Sequence, residues 1–136
     1  MVATEELLEH AGYVNHSYGT PRAYVEEQLD KGFHVILDIE IQGARQVHEK
    51  MPEAVSIFIM PPSMTELRRR LEGRGTDTKE AIDARIDRAR QEIQEADFYN
   101  YLILNEDVDL AADQFRAILT AEQCRFNRSA LLRLAD

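Results

Sequence analysis

Arg70-Leu71-Glu72-Gly73-Arg74-Gly75-Thr76 sets two arginines four residues apart and brackets the second between glycines. A third, Arg85, follows on a helix-like stretch. A guanidinium is planar, permanently charged and forked, so it grips phosphate through paired donors. On a glycine hinge, such a group suits a lid that closes over polyphosphate. Helical spacing would give Arg70 and Arg74 one face. The two glycines instead put Arg74 on a loop. A solvated helix with Glu and Asp partners accounts well for Arg68, Arg69, Arg88 and Arg90. It accounts poorly for Arg74, which has no helical partner between its glycines.

A second group of polar residues stands at the ends of apolar runs. Asp38 and Glu40 close His34-Val-Ile-Leu-Asp-Ile39, and Asn105 closes Tyr101-Leu-Ile-Leu104. Ligands of parallel sheets bind at the carboxyl ends of the strands. An acid there holds a metal-bound water or a substrate hydroxyl, or it serves as a turn or capping carboxylate. For Asp38 both readings stand. For Glu40 the capping reading is the stronger. Glu9, Tyr18 and Thr20 are polar residues near the amino end, and each has an ordinary role: helix surface, packing and helix cap. No G-x-x-x-x-G-K-[ST] segment occurs in the sequence, so the usual phosphate-cradling loop is not among these residues.

Charge narrows the ligand class. The 136 residues carry a net charge of −9, with 44% hydrophobic and 30% charged residues. That is enough for one domain with a core. The acidic average argues against a nucleic-acid or anionic-membrane binder. Segment 68–90 inverts the sign, holding eight of the 16 basic residues against five acids. A locally positive element on an acidic body fits a small anionic ligand. Cys124 is the only cysteine, so no internal disulfide or cysteine-based metal site is available, and the four histidines lack metal-ligand spacing. No apolar run approaches the ~18 residues of a membrane span. The beginning of the sequence lacks a basic and apolar signal pattern. A cytoplasmic, reduced protein is the expectation.

The elements that must position these residues alternate between strand and helix, the pattern of an α/β fold. Residues 3–11 read as a short helix and 13–19 as loop or strand. Thr20-Pro21 reads as a cap plus a first-turn proline, opening a helix that ends near Lys31 at Gly32. Residues 34–39, 55–60 and 101–104 read as strands buried on both faces. Helices are expected from Gly43 to about Lys50, from the capping box Ser63-Met-Thr-Glu66, from Asp77 to about Ala96, and over 109–125. The remainder reads as a weakly packed helix, and Cys124 as a buried or half-buried packing residue.

Several of these segments, in order, resemble the guanylate kinase family. They are Leu7-Leu-Glu-His-Ala11, Tyr18-Gly-Thr20, Val35-Ile-Leu-Asp-Ile-Glu-Ile-Gln-Gly-Ala44, Ile57-Phe-Ile-Met-Pro-Pro-Ser63, Arg70-Leu-Glu-Gly-Arg-Gly-Thr76 and Leu104-Asn-Glu-Asp107. The resemblance runs from about residue 5 to 125. It implies a nucleoside-monophosphate-kinase type of parallel sheet with helices on both faces. It also implies transfer of the γ-phosphoryl of ATP to GMP, with Mg²⁺, giving ADP and GDP. On this reading Glu9 and Thr20 read the guanine base, and Tyr18 binds the GMP phosphate. A carboxylate can accept from two adjacent guanine N–H groups that adenine does not offer. Asp38, Glu40 and Gly43 lie near the GMP and metal end, where much of the family has aspartate in place of Glu40. The resemblance implies no direct metal ligand here, with Asp38 reaching the metal through water. Arg74 belongs to the lid over ATP, Arg70 and Arg85 neutralise the transferring phosphoryl, and Asn105 contacts the adenine side.

The resemblance also implies a missing part. The family carries a phosphate-loop strand, loop and helix ahead of the matched segments, followed by further GMP-phosphate ligands. The chain therefore reads as one truncated domain, the carboxyl-terminal two-thirds. Residues 1–32 would be its GMP-binding part, 33–70 and 97–136 its core, and 71–96 its lid and following helix. Without the central strand, the expectation is an inactive chain of marginal stability. That marginal stability is one of three alternatives, the others being self-association through exposed sheet edges and closure by direct pairing of the strands at 34–39 and 55–60. Two other readings compete. One is a guanylate-kinase-like module that binds phosphorylated partners without catalysis, and the other is a different small-molecule kinase of the same fold.

Overall fold

The computed structural model describes residues 7–13 and 16–134, with side chains from Pro21 onward except at 128–130. By its internal contacts the chain forms two compact units: Met1–Phe58 with Asp83–Tyr101, and Ile59–Ile82 with Leu102–Asp136.

The first unit opens with strands β1 (Leu7–Tyr13) and β2 (His16–Pro21), paired antiparallel. The helix expected over 3–11 is therefore a strand from Leu7 onward, and residues 3–6 lie outside the described residues. A short run with Leu7, Leu8 and Ala11 does not by itself choose between periods. The hairpin partner chooses, and Gly12 weakens any helix. The register slips between Leu7↔Pro21 and Glu9↔Thr20, an irregularity of the β-bulge kind. It falls at Pro21, which has no N–H to give the ladder and sits where a strand tolerates it.

Helix α1 (Arg22–Asp30) starts directly from the strand, with Pro21 at its cap position and no side-chain cap bond. Thr20 is thus a strand residue rather than a helix cap. The expected stop holds: Gly32 has φ +86°, Gly32 N–H donates to Leu29 O at 2.9 Å and Phe33 N–H to Gln28 O at 3.1 Å. That pair of bonds is a Schellman ending, which needs a left-handed residue where glycine now sits.

Residues 34–39 form no ladder, against the strand expected there. Their exposure nonetheless alternates. Val35, Leu37 and Ile39 pack against the core of Val25, Val47 and Met51, while Ile36 is 64% exposed. The run is apolar enough for a doubly covered strand, but it joins no ladder among the described residues. Direct pairing with the strand at 55–60 is likewise not formed. Helix α2 (Ile41–Lys50) follows, lies against β1, and buries Ile41, Gly43, Ala44 and Val47.

Strands β3 (Ile57–Met60) and β4 (Tyr101–Leu104) pair with each other. Tyr101 N–H donates to Ser56 O and Asn105 N–H to Met60 O, at 3.1 and 2.6 Å. Both pairs are 45 residues apart, so the strands run parallel. Asn100 sets the register. Its Oδ1 accepts from Ser56 N–H at 2.9 Å, and its own N–H donates to the Ser56 hydroxyl at 3.1 Å. Neither strand is buried on both faces as expected: Ile59 and Leu102 are 55% and 59% exposed.

Between the strands lie α3 (Met64–Gly73) and α4 (Lys79–Glu95), and a short 3₁₀ turn, Ala96–Phe98, leads into β4. The Ser63 hydroxyl accepts from Glu66 N–H at 3.0 Å, which is half of the expected capping box. Thr78 Oγ1 caps α4 by accepting from Ala81 N–H at 3.2 Å. Helices α5 (Val108–Gln123) and α6 (Arg128–Leu134) end the chain, and Asp107 caps α5 through Asp109 N–H at 2.8 Å. Cys124 is exposed at the C-cap of α5, not packed inside.

Among the described residues of the second unit, Leu71, Ile82 and Ile103 are the buried apolar ones. Ile103 is only 2% exposed. Ile103→Ala is expected to cost about 3 kcal/mol, since deleting buried aliphatic carbon leaves a cavity that collapses incompletely. A urea midpoint unchanged within error would contradict that burial.

Candidate nucleotide site

In the first unit, β-pairing brings two expected base readers together. Glu9 and Thr20 are cross-strand partners, and Tyr18 pairs with Ala11 two positions further along the ladder. Only the backbone is described at these positions. Their convergence follows from the hairpin, which the sequence reading placed half in a helix.

Asp38 ends the 34–39 run and is exposed. Glu40 occupies the cap position of α2 but makes no cap bond there. Its carboxylate instead accepts from Arg88 Nη2 at 2.9 Å. Arg88 Nε also donates to Glu92 at 3.1 Å, one turn along α4. The charge-assisted contacts with Glu92 and Glu40 raise the Arg88 pKa, partly offset by desolvation. Arg88 thus ties α4 to the head of α2. The partner at i+4 was legible from spacing; Glu40, 48 residues away, was not. Gly43 is buried in α2, directly after Gln42, which lines an open groove of about 550 Å³ with Asp87, Arg88, Glu92 and Glu95. Arg85 is exposed on α4, one turn before Arg88.

The second unit holds Arg70, Arg74 and Asn105. Helix α3 runs through Gly73, so Arg74 is its C-cap residue, exposed, with φ −70°. Gly75 follows in the left-handed region at φ +65° and returns its N–H to Glu72 O at 3.1 Å. The glycine turn thus ends the helix and presents Arg74 on its rim.

Arg70 is engaged with the protein itself. Its Nε donates to Glu66 Oε1 at 2.9 Å, and its Nη2 donates to the Asn105 carbonyl at 2.7 Å. Glu66 also accepts from Arg69 Nε at 2.8 Å. Hydrogen bonding from Arg69 first, and Arg70 with it, holds the Glu66 carboxyl down at about 2 against a desolvation effect that raises it. A depressed carboxylate pKa means these contacts are complete above the ordinary value of 4.5 and vanish only as pH falls through about 2. A carboxyl-carbon NMR titration of Glu66 should therefore find its midpoint near the lower figure. A midpoint near 4.5 would mean that the paired arginines do not hold the carboxylate.

Asn105 lines an open hollow of about 360 Å³ with Ile59, Ile103, Val108, Ala111 and Phe115. The lining is mostly apolar, with Asn105 and Arg116 as its polar members. No group of three or more His, Cys, Asp or Glu side chains among the described residues is placed to hold a metal. Mg²⁺ commonly uses one or two carboxylates plus substrate phosphates and retains several waters, and the exposed Asp38 fits that donor class.

Known proteins similar to this chain are guanylate kinases. The family model described as guanylate kinase matches residues 1–122. The chain is 51% identical to a guanylate kinase of Halalkalibacterium halodurans over 128 residues, covering 94% of this chain and 63% of that protein. It is 47% identical to one from Bacillus cereus, covering 96% and 63%. The crystal structure of guanylate kinase from Anaplasma phagocytophilum matches with a TM-score of 0.70 at 44% identity, over 87% of this chain and 56% of that one. The chain spans less than two-thirds of the length of these relatives. It has a guanylate-kinase-like fold with a small parallel sheet, and it belongs to the guanylate kinase family.

Proposed function

We propose that this chain is the carboxyl-terminal two-thirds of a cytoplasmic ATP:GMP phosphotransferase. The observation that carries the reading is the Glu9↔Thr20 pairing on the hairpin, within a chain this similar to guanylate kinases. It supports a guanine-reading pair in which the carboxylate accepts from the base. Tyr18 holds the GMP phosphate, and Asp38, Glu40 and Gly43 form the adjoining end. Asn105 meets the adenine side of ATP.

Chemically, a phosphate oxygen of GMP attacks the γ-phosphorus. A P–O bond forms as the bond to the β-bridging oxygen breaks, and ADP leaves with the electron pair. The protein's task is to position both nucleotides and offset charge. Arg74 on its glycine turn and Arg85 on α4 supply that charge. Asp38 would be the oxygen donor toward a Mg²⁺ bound with ATP, which would supply screening of the phosphate charge. Glu40 must exchange Arg88 for any such role, because its carboxylate is already paired.

The chain alone should show no ATP turnover with GMP, and turnover should appear when it is joined to the phosphate-loop segment that its family carries. GDP formation followed by ³¹P NMR tests this. Turnover by the chain alone would refute the truncated-domain reading. Binding of a phosphopeptide, with no turnover by the joined protein, would transfer the assignment to a non-catalytic module. The exposed Ile36, Ile59 and Leu102 support self-association of the chain alone. A monomer with a sharp two-state melt would argue against that behaviour.

A further inference from the structure

Arg70 has the residue type of a phosphate ligand, and two of its three nitrogens are engaged inside the second unit. Nε reaches Glu66 Oε1 one turn back, and Nη2 reaches the Asn105 carbonyl, with the Glu106 carbonyl 3.5 Å from the same nitrogen. Arg70 and Glu66 are both half-buried, 32% and 24% exposed, so the pair is less screened than the surface pairs around it. The turn that Arg70 touches is short. Asn105 N–H makes the last ladder bond, to Met60 O, and Glu106 N–H folds back to Leu104 O at 3.0 Å. Asp107 already caps α5. Strand-end carbonyls in such a turn need a donor, and Arg70 supplies it.

We propose that Arg70 is a positioning residue: fixed by Glu66, it clips the 105–107 turn to α3 and so sets Asn105 in the lining of the hollow. The consequence for ligand binding rests on the reading of Asn105 as an adenine-side contact; the clip itself does not. A carboxylate and a carbonyl hold Nε and Nη2 together, which fixes the guanidinium between α3 and the 105–107 turn. Lysine cannot substitute, because a single ammonium lacks the fork that spans Glu66 and Asn105 together.

The test uses the chain as it is, with Arg70→Lys, Glu66→Gln and Asn105→Ala, reading amide hydrogen exchange and the affinity for Mg·ADP. Both Arg70→Lys and Glu66→Gln should speed exchange at the Asn105 and Glu106 amides by ~10-fold or more, while amides in the middle of α5 keep their protection. Both should weaken Mg·ADP by roughly 5- to 10-fold, the loss of about one hydrogen bond's worth of positioning. Asn105→Ala added to Arg70→Lys should weaken it little further. Two outcomes would overturn the proposal. One is unchanged exchange at 105–106 in Arg70→Lys. The other is weakened Mg·ADP in Arg70→Lys alone, with Glu66→Gln and Asn105→Ala binding normally, since that pattern belongs to direct nucleotide contact. If the unmodified chain binds no Mg·ADP at millimolar concentration, as expected of a chain without the phosphate loop, the affinity arm is read in the joined protein, and the exchange data judge the clip.

Discussion

Arg85→Ala, made in the chain joined to its family's phosphate-loop segment, should lower kcat for γ-phosphoryl transfer by ~10³-fold or more. Arg85 lies exposed on α4, beyond the glycine turn that carries Arg74. In a loose transition state, charge spreads over the equatorial oxygens, and a positioned guanidinium offsets it where water is excluded. A thousandfold loss corresponds to ~4 kcal/mol. Because the contact strengthens as charge develops, kcat should fall far more than KM rises. Stopped-flow or coupled-assay kinetics on the joined protein reads this directly. A loss below tenfold would remove Arg85 from the mechanism and leave it a surface residue of α4.

Glu9→Gln should have the second-largest effect, and its signature is selectivity. A carboxylate that accepts from two guanine N–H groups loses one acceptor as the amide and turns a donor toward the base. Hydrogen bonds to a charged group contribute about 1.5–3 kcal/mol each, so kcat/KM for GMP should fall by ~10²-fold or more. AMP cannot offer those donors and should change little, which narrows the discrimination between the two acceptors. Equal losses with GMP and AMP would mean that Glu9 acts on folding or on the phosphate, not on the base. The hairpin register gives a companion check. Thr20 is the Cα partner of Glu9, so Thr20→Val should erode the same preference more weakly.

Signals carried by local chemistry were legible in the sequence. Ser63 caps α3 and Gly32 ends α1 in the left-handed region, as their residue types require. Apolar runs located β3 and β4, although Ile59 and Leu102 are exposed in this chain. Partners distant in sequence were not legible. Leu7–Tyr13 is a strand because His16–Pro21 lies beside it, and nothing within the segment says so. Residues 34–39 have strand chemistry and alternating burial but no ladder, because a strand is completed by its neighbour.

The site follows the same division. Arg74 on its glycine turn was visible from spacing alone. The commitments of Arg70 to the Asn105 carbonyl and of Arg88 to Glu40 join residues 35 and 48 positions apart, and no periodicity encodes either. Glu66 was read as a capping-box acid. Its N–H does bond the Ser63 hydroxyl, but its carboxylate went to Arg69 and Arg70, a stronger charged alternative within one helical turn.

A guanine-reading hairpin in a phosphotransferase makes one demand that no other arrangement shares: the acceptor's base must decide the rate. The joined protein should be given ATP with GMP, IMP or AMP, and kcat/KM compared. IMP lacks the exocyclic amine, so it offers one of the two N–H groups, and the expected order is GMP above IMP above AMP, with the extremes ~10⁴-fold apart. Equal rates with all three, or transfer that favours AMP, would contradict it.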